Sequence, residues 1–116
     1  MFCPYEWNID EVHEMISEID IYYQGWKVYV FLTEGFELVE ALAVVDVLRR
    51  ASIDVVTVSI MDKKTVMSAQ KVEVVADTMF ADNDYSKADV LFLPGGPGTK
   101  GLGAHEGLVA VLKKHF

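Results

Sequence analysis

The stretch DVLFLPGGPG, residues 89–98, decides the fold of this chain. An acidic residue precedes a run of four apolar residues, and a proline followed by two glycines ends the run. A short continuous apolar run between such signals is typical of a buried β-strand. Glycine lacks a Cβ, so a ligand or a reacting group can approach the main-chain N–H groups closely. The stretch therefore predicts a buried strand that ends in bare backbone, and it raises the question of what lies over Gly95 and Gly96.

Strand and helix patterns alternate along the rest of the chain. Two apolar, β-branched strands are predicted before this stretch: WKVYVFLT (26–33) and IDVVTVSI (53–60). One helix is predicted between them over residues 37–51, and a closing helix is predicted over residues 103–116. TVMSAQ and KVEVVAD (65–77) can pair as short antiparallel segments, and MFADNDYSKA (79–88) is expected to form a loop. The alternation predicts an α/β fold with a doubly wound, mostly parallel sheet.

Residues 1–24 differ from this pattern and are interpreted as an N-terminal extension of a domain that covers residues 25–116. Within the extension, NIDEVHEMISEID reads as a short acidic helix, which Asn8 can cap with Glu11 as the capping-box partner. One face of this helix is apolar, and we interpret it as a surface that docks onto the domain: Val12, Met15, Ile16 and Ile19.

Composition and charge exclude several classes of protein. The chain has 116 residues, 52% of them hydrophobic, which is enough apolar material for one folded domain. Its net charge of −8 argues against nucleic-acid binding, because such proteins present a basic surface. No apolar run reaches the length of a membrane helix, and the N-terminus lacks the pattern of a secretory signal. Cys3 is the one cysteine, so no internal disulfide forms, and a cytoplasmic location is expected.

The glycines after the strand also match a nucleotide-binding pattern, G-x-G-x-x-G, over residues 96–101. The dinucleotide-binding motif needs a following strand and an acidic residue about 20 residues further on, and neither is present before Phe116. Pro97 also removes an N–H group that a phosphate would use. We therefore expect no nucleotide, no other cofactor and no metal, while a tight strand-to-helix turn remains the simplest interpretation of the motif.

Glu40 is the candidate functional side chain in the turn after the first strand. Its helical neighbours are all apolar: Phe36, Ala43 and Val44. A carboxylate in apolar surroundings is costly unless it is paired, and such residues are often functional. The alternative is a glutamate at the rim of the sheet that reaches solvent from the first turn of the helix, where an acid is favoured. Spacing alone favours neither interpretation.

Three stretches, taken in order, resemble the first half of the DJ-1/ThiJ/PfpI superfamily. They are the first strand with EGFELVEALAVVDVLRRA, then MSAQKVEVVADTMF, then DVLFLPGGPGTKGL. The resemblance implies a flavodoxin-like, class I glutamine amidotransferase-like three-layer sandwich that is usually dimeric. Members include glyoxalases that hydrate methylglyoxal without glutathione, proposed protein deglycases, chaperones and intracellular peptidases. One branch has been linked to thiazole monophosphate (ThiJ) synthesis.

The resemblance assigns roles to three residues. It implies that Glu40 hydrogen-bonds a reactive cysteine, and that Gly95 and Gly96 supply main-chain N–H groups beside the same cysteine. The substrate would be a small 2-oxoaldehyde or a glycated group. We therefore expect the Glu40 side chain to be largely buried at the carboxyl edge of the sheet, close to the backbone of the two glycines.

The departures from the family pattern carry expectations of their own. The family's cysteine follows the next strand, beyond Phe116, so the chain as given is expected to be truncated before that strand and inactive as a thiol enzyme. The DVLFL strand would then be an edge that favours a homo-oligomer. His105 is interpreted as a surface residue near a helix start, His115 as a last-turn residue, and Cys3 as no nucleophile. A non-enzymatic chaperone-like or interaction module is the alternative function.

Overall fold

The computed structural model describes residues 25–115. The predicted acidic helix at residues 8–20, its docking face and Cys3 lie outside the described residues.

The described residues form an α/β fold around a mostly parallel sheet. Six strands are β1 (Lys27–Leu32), β2 (Asp54–Ser59), β3 (Thr65–Met67), β4 (Glu73–Val75), β5 (Thr78–Met79) and β6 (Val90–Phe92). Three helices are α1 (Leu38–Arg50), α2 (Thr99–Ala104) and α3 (Glu106–His115). The main sheet has the order β5-β2-β1-β6, all of it parallel, while β3 and β4 form a separate antiparallel hairpin. The predicted strands, the first helix and the hairpin are confirmed, but the expected burial of the DVLFL strand is wrong, because β6 is the edge strand, its residues are half-buried and Leu93 is exposed.

Alternate residues of β1 supply two cores, because successive side chains of a strand point to opposite faces. Val28, Val30 and Leu32 pack on the face that α1 covers. Tyr29 and Phe31 pack on the other face, against buried leucines of α2 and α3. The central strand is therefore covered on both sides, which is the three-layer arrangement that the apolar pattern of WKVYVFLT indicates.

Helix α1 ends in a Schellman motif. The N–H of Ile53 donates to the Leu48 carbonyl at 3.0 Å, and the N–H of Ser52 donates to the Arg49 carbonyl at 3.0 Å. Ser52 adopts a positive φ of 61°, the left-handed conformation that glycine usually provides at this position. The motif turns the chain directly into β2.

The expectation of a simple loop at residues 79–88 is wrong at its start. Thr78 and Met79 pair in parallel with β2 as strand β5, and a 3₁₀ turn follows at Phe80–Asp82. The Tyr85 hydroxyl donates to the Phe80 carbonyl at 2.7 Å and holds this segment against the sheet. A two-residue strand is too short to show a periodic pattern in the sequence.

The predicted single closing helix is also wrong, because it breaks at His105. This residue has extended backbone angles, and its Nδ1 accepts the N–H of Leu108 at 2.9 Å, so it caps the start of α3. It is half-buried, with its ring against the Phe80 ring at a centroid distance of 4.7 Å, and is not a simple surface residue. His115 lies in the last turn of α3, as expected.

Asp77 joins the hairpin to the main sheet. Its carboxylate accepts the N–H of Thr57 at 2.9 Å and the Arg49 guanidinium at 2.6 Å. Burial raises the pKa of Asp77, but the hydrogen bonds from Thr57 and the charge and hydrogen bond of Arg49 together outweigh it, so this pKa lies below its usual value. The connection that leads into β5 is thereby fixed to β2.

Candidate functional site

The candidate site lies at the carboxyl edge of the sheet, where the turn after β1 meets the turn after β6. The two turns touch backbone to backbone. The N–H of Gly98 donates to the Gly35 carbonyl at 3.0 Å, and a Cβ at Gly98 would collide with the Glu34 carbonyl oxygen. This contact requires glycine at position 98 and fixes the Pro94–Gly98 turn relative to the start of α1.

Gly96 is held in the same contact. Its φ is +105°, which side chains rarely adopt, and a Cβ there would lie 2.9 Å from the Glu37 nitrogen and 3.0 Å from the Gly35 oxygen. The bare backbone at Gly96 is therefore required by the packing of one turn on the other.

Glu40 lies over the neighbouring glycine. A Cβ at Gly95 would be 3.1 Å from Oε2 and 3.3 Å from Oε1 of Glu40, so the structure brings the predicted carboxylate and the predicted turn together. A side chain at position 95 would require the carboxylate to shift by a few tenths of an ångström. The expected closeness of Glu40 to the backbone of the Pro-Gly-Gly turn is confirmed, at Gly95.

The expected burial of Glu40 is wrong, because its side chain is exposed. Of its helical neighbours, Phe36 is buried and Val44 is half-buried, but Ala43 is exposed. In the first turn of α1, Leu38 is half-buried and Ala41 is buried, but Glu40 lies on the outward side of the turn, so an apolar neighbourhood in sequence does not become a buried one. Within residues 25–115, the Glu40 carboxylate makes no hydrogen bond or ion pair.

The turn next to this carboxylate carries two main-chain N–H groups that make no hydrogen bond to any described residue. The Gly95 carbonyl accepts the N–H of Glu37 at 2.9 Å, but the N–H groups of Gly95 and Gly96 make no hydrogen bond within the described part of the chain. Uncommitted N–H groups next to a carboxylate can bind a developing oxyanion while the carboxylate holds a proton. The carboxylate comes from α1 and the donors from the turn after β6, and the two elements meet at Gly95.

Two adjoining clefts open at the same edge of the sheet. One, of about 250 Å³, lies between Pro97 and the hairpin, and the other, of about 350 Å³, extends along the hairpin to Met61. They share Glu34, Met67 and Lys71. Pro97 lines the smaller cleft, but neither cleft is lined by Glu40, Gly95 or Gly96.

The hairpin's contribution to this site has no signal in the sequence. Gln70 reaches the first turn of α1 and Lys71 lines both clefts; both lie in the family-like stretch MSAQKVEVVADTMF, but the resemblance assigns neither a role. Their placement depends on how the hairpin docks onto the turn after β1, which a pattern of apolar residues does not specify.

A search of the described residues finds no group of three or more histidine, cysteine, aspartate or glutamate side chains that could hold a metal ion. No helix in that part of the chain is long and apolar enough to cross a membrane.

The family model and the curated relatives that match this chain point to the same family. A family model described as the DJ-1/PfpI family matches residues 26–116. Protein DJ-1 homolog B of Arabidopsis thaliana is 35% identical over 89 residues, which cover 76% of this chain and 20% of that protein. Protein dj-1beta of Drosophila melanogaster is 35% identical over 83 residues, which cover 72% of this chain and 44% of that protein.

Solved structures agree with these sequence relatives. Oxidized DJ-1 of Toxoplasma gondii superposes with a TM-score of 0.75 and 32% identity, covering 78% of this chain and 50% of that one. A mutant of a DJ-1 superfamily protein from Salmonella typhimurium gives a TM-score of 0.74 and 36% identity, covering 78% and 49%. The chain therefore spans about half the length of these solved relatives, and the flavodoxin-like fold expected from the resemblance is confirmed.

Proposed function

This chain belongs to the DJ-1/PfpI family, and from that premise we propose that it carries the acid and the main-chain donors of a thiol-dependent site. The substrate would be a small 2-oxoaldehyde such as methylglyoxal, or a glycated group. The observation that carries the proposal is the position of the Glu40 carboxylate over Gly95, in a turn whose Gly95 and Gly96 N–H groups make no hydrogen bond within the described chain.

The proposed chemistry is thiol addition to a carbonyl. A thiolate attacks the aldehyde carbon, a C–S bond forms, and the π electrons of the carbonyl move onto oxygen. Glu40 takes the proton of the thiol, donates a hydrogen bond to the thiolate and then delivers the proton to the oxyanion, which the N–H groups of Gly95 and Gly96 stabilise, so that a hemithioacetal forms. A proton then moves from the former aldehyde carbon to the neighbouring carbonyl carbon through an enediol, with Glu40 as its carrier. Water cleaves the resulting thioester to lactate and the free thiol. General acid catalysis of this kind contributes about 10²–10⁴-fold to a rate, and an oxyanion donor about 10²–10³-fold.

The nucleophile is not assigned to a residue of this chain. Cys3 is the one thiol, and its neighbours are a proline, aromatic residues and an acid, which do not provide the electropositive surroundings of a reactive cysteine. We propose that residues 1–116 alone do not turn over methylglyoxal. Turnover by this chain that iodoacetamide abolishes would contradict the proposal and assign Cys3 a role.

A small thiol can stand in for the nucleophile. Lactate formation from methylglyoxal is measured with 2-mercaptoethanol, with and without the chain. We expect the wild-type chain to accelerate the reaction and the Glu40→Gln variant to lose that acceleration. Glu106→Gln is the matched control, because Glu106 is also an exposed first-turn glutamate, on α3. No acceleration by the wild-type chain, or equal acceleration by Glu40→Gln, would refute the proposed site.

A second candidate, an interaction module that forms a homo-oligomer, is favoured by an exposed apolar surface. Helix α1 and the β3–β4 hairpin pack into the same core cluster, on one side of the sheet. Five of their apolar side chains are nevertheless between 37% and 69% exposed: Val39, Leu42, Val47, Val72 and Val75. Large exposed apolar side chains mark a protein interface where they lie together. Glutamate at positions 39 and 75 should lower the mass measured by light scattering, and an unchanged mass would exclude this surface as the interface.

A further inference from the structure

Helix α1 begins without a cap from its own sequence. The N-cap residue, Glu37, makes no side-chain hydrogen bond to the helix backbone. The first N–H groups of a helix have no partner within the helix, and leaving them without one destabilises the first turn. Glu40 lies in this turn, so the position of its carboxylate depends on what secures the turn.

Gln70, at the tip of the β3–β4 hairpin, provides the missing cap. Its Oε1 accepts the N–H of Leu38 at 3.0 Å, and its Nε2 donates to Oε2 of Glu37 at 3.0 Å. The two contacts need opposite ends of the amide, so one orientation satisfies both. The amide therefore joins the first residue of α1 to the N-cap residue from outside the helix.

The hairpin that carries Gln70 is itself anchored to the same turn. The N–H of Gly35 donates to the Met67 carbonyl at 2.9 Å, and the N–H of Ala69 donates to the Phe36 carbonyl at 2.9 Å. The Ser68 hydroxyl is buried and accepts the N–H of Val72 at 3.1 Å, which closes the tip of the hairpin. These hydrogen bonds fix the position of the hairpin, and therefore of Gln70, relative to α1.

The start of α1 is held from two directions. On one side, the N–H of Glu37 donates to the Gly95 carbonyl, and on the other side Gln70 binds Glu37 and Leu38. We infer that Gln70 is a positioning residue, which secures the first turn of α1 and so keeps the Glu40 carboxylate over Gly95. The inference rests on the proposed role of Glu40 for its functional meaning.

The test follows the Gly95 amide resonance by NMR while the carboxylates are titrated. In the wild-type chain this resonance should shift with pH because the Glu40 carboxylate lies close to Gly95. The Glu40→Gln variant lacks that carboxylate, so the difference between the two proteins is the shift caused by Glu40. In Gln70→Leu the shift should be largely lost. Hydrogen exchange at the Leu38 amide should also rise roughly tenfold, as expected for the loss of one helix cap. Glu73→Gln, on the exposed side of the same hairpin, is the control and should keep the wild-type shift.

An exchange of the two side chains separates positioning from general damage to the fold. Gln70→Glu alone places a second carboxylate against Glu37 and should reduce the Gly95 shift. In the double variant Glu37→Gln/Gln70→Glu, the amide at position 37 can donate to the carboxylate at position 70, and the Gly95 shift should recover. The blank for this measurement is the double variant that also carries Glu40→Gln. If Gln70→Leu does not fold, this pair decides the outcome.

A wild-type shift in Gln70→Leu, or no recovery in the folded double variant, would overturn the inference. The wild-type chain could fail to accelerate lactate formation while the Gly95 shift is lost in Gln70→Leu and recovered in the double variant. That result would reject the proposed function and leave the role of Gln70 intact.

Discussion

Replacing Gly98 by alanine should destabilise the protein, because the methyl group enters a contact between two backbones. An added Cβ would collide with the Glu34 carbonyl oxygen and lie 2.8 Å from the Gly35 carbonyl carbon. These are main-chain atoms, so no side chain can rotate away, and the two turns must separate. Overpacking of this kind costs about 1–3 kcal/mol, and loss of the hydrogen bond between Gly98 and Gly35 adds about 1 kcal/mol.

The expected loss in the free energy of unfolding is therefore about 2–4 kcal/mol, and the fall in Tm roughly 10–25 °C. Gly103→Ala is the matched control five residues further on. Gly103 lies in α2, and a Cβ there meets nothing within 4 Å, so alanine should raise stability by up to about 1 kcal/mol. Urea denaturation followed by circular dichroism measures both variants. Equal effects at the two positions, or a Gly98→Ala variant within about 0.5 kcal/mol of wild type, would refute the assigned contact.

Four further outcomes are expected. Ser52→Gly should stabilise the protein by about 0.5–1 kcal/mol in the same assay, because Ser52 has a positive φ; a loss of stability would contradict this. His105→Ala should cost about 1 kcal/mol while His105→Asn keeps most of the cap, and equal effects would reject the capping role. Since the pKa of Asp77 is lowered in the folded state, the contribution of Asp77 to the free energy of unfolding is present above its unfolded pKa and is lost as pH falls through the folded pKa. Asp77→Asn should therefore reduce the loss of stability on acidification. The 116-residue chain should be oligomeric by light scattering after size exclusion, more so without residues 1–24, and a monodisperse monomer unchanged by that deletion would contradict this.

The sequence predicts the centre of this fold well. β1, α1 and β2 carry long apolar patterns because each buries side chains in the core, and β6 carries a short one whose side chains pack against both core clusters while half-buried. The closeness of Glu40 to the glycine turn was also predictable, since both follow neighbouring parallel strands at their carboxyl ends.

The remaining features depend on contacts between distant segments. The break at His105 is accompanied by a ring contact with Phe80, and the cap of α1 comes from Gln70, 32 residues after the N–H that it accepts. The exposure of Glu40 likewise depends on what covers the first turn of α1, which its helical neighbours do not specify. A local pattern carries no information on any of these contacts.

The uneven pairing of β1 has a consequence for the order in which the site forms. β1 pairs with β2 over six residues that follow it closely in the chain, but with β6 over three residues, in a contact that joins Lys27 to Asp89 across 62 positions. The β1–α1–β2 unit should therefore assemble first, since its chain closure costs less entropy, and β6 should dock late and open first. Because Gly95 follows β6 while Glu40 belongs to the early unit, the pair exists only after β6 has docked, and its lifetime is that of the three-residue pairing between β1 and β6.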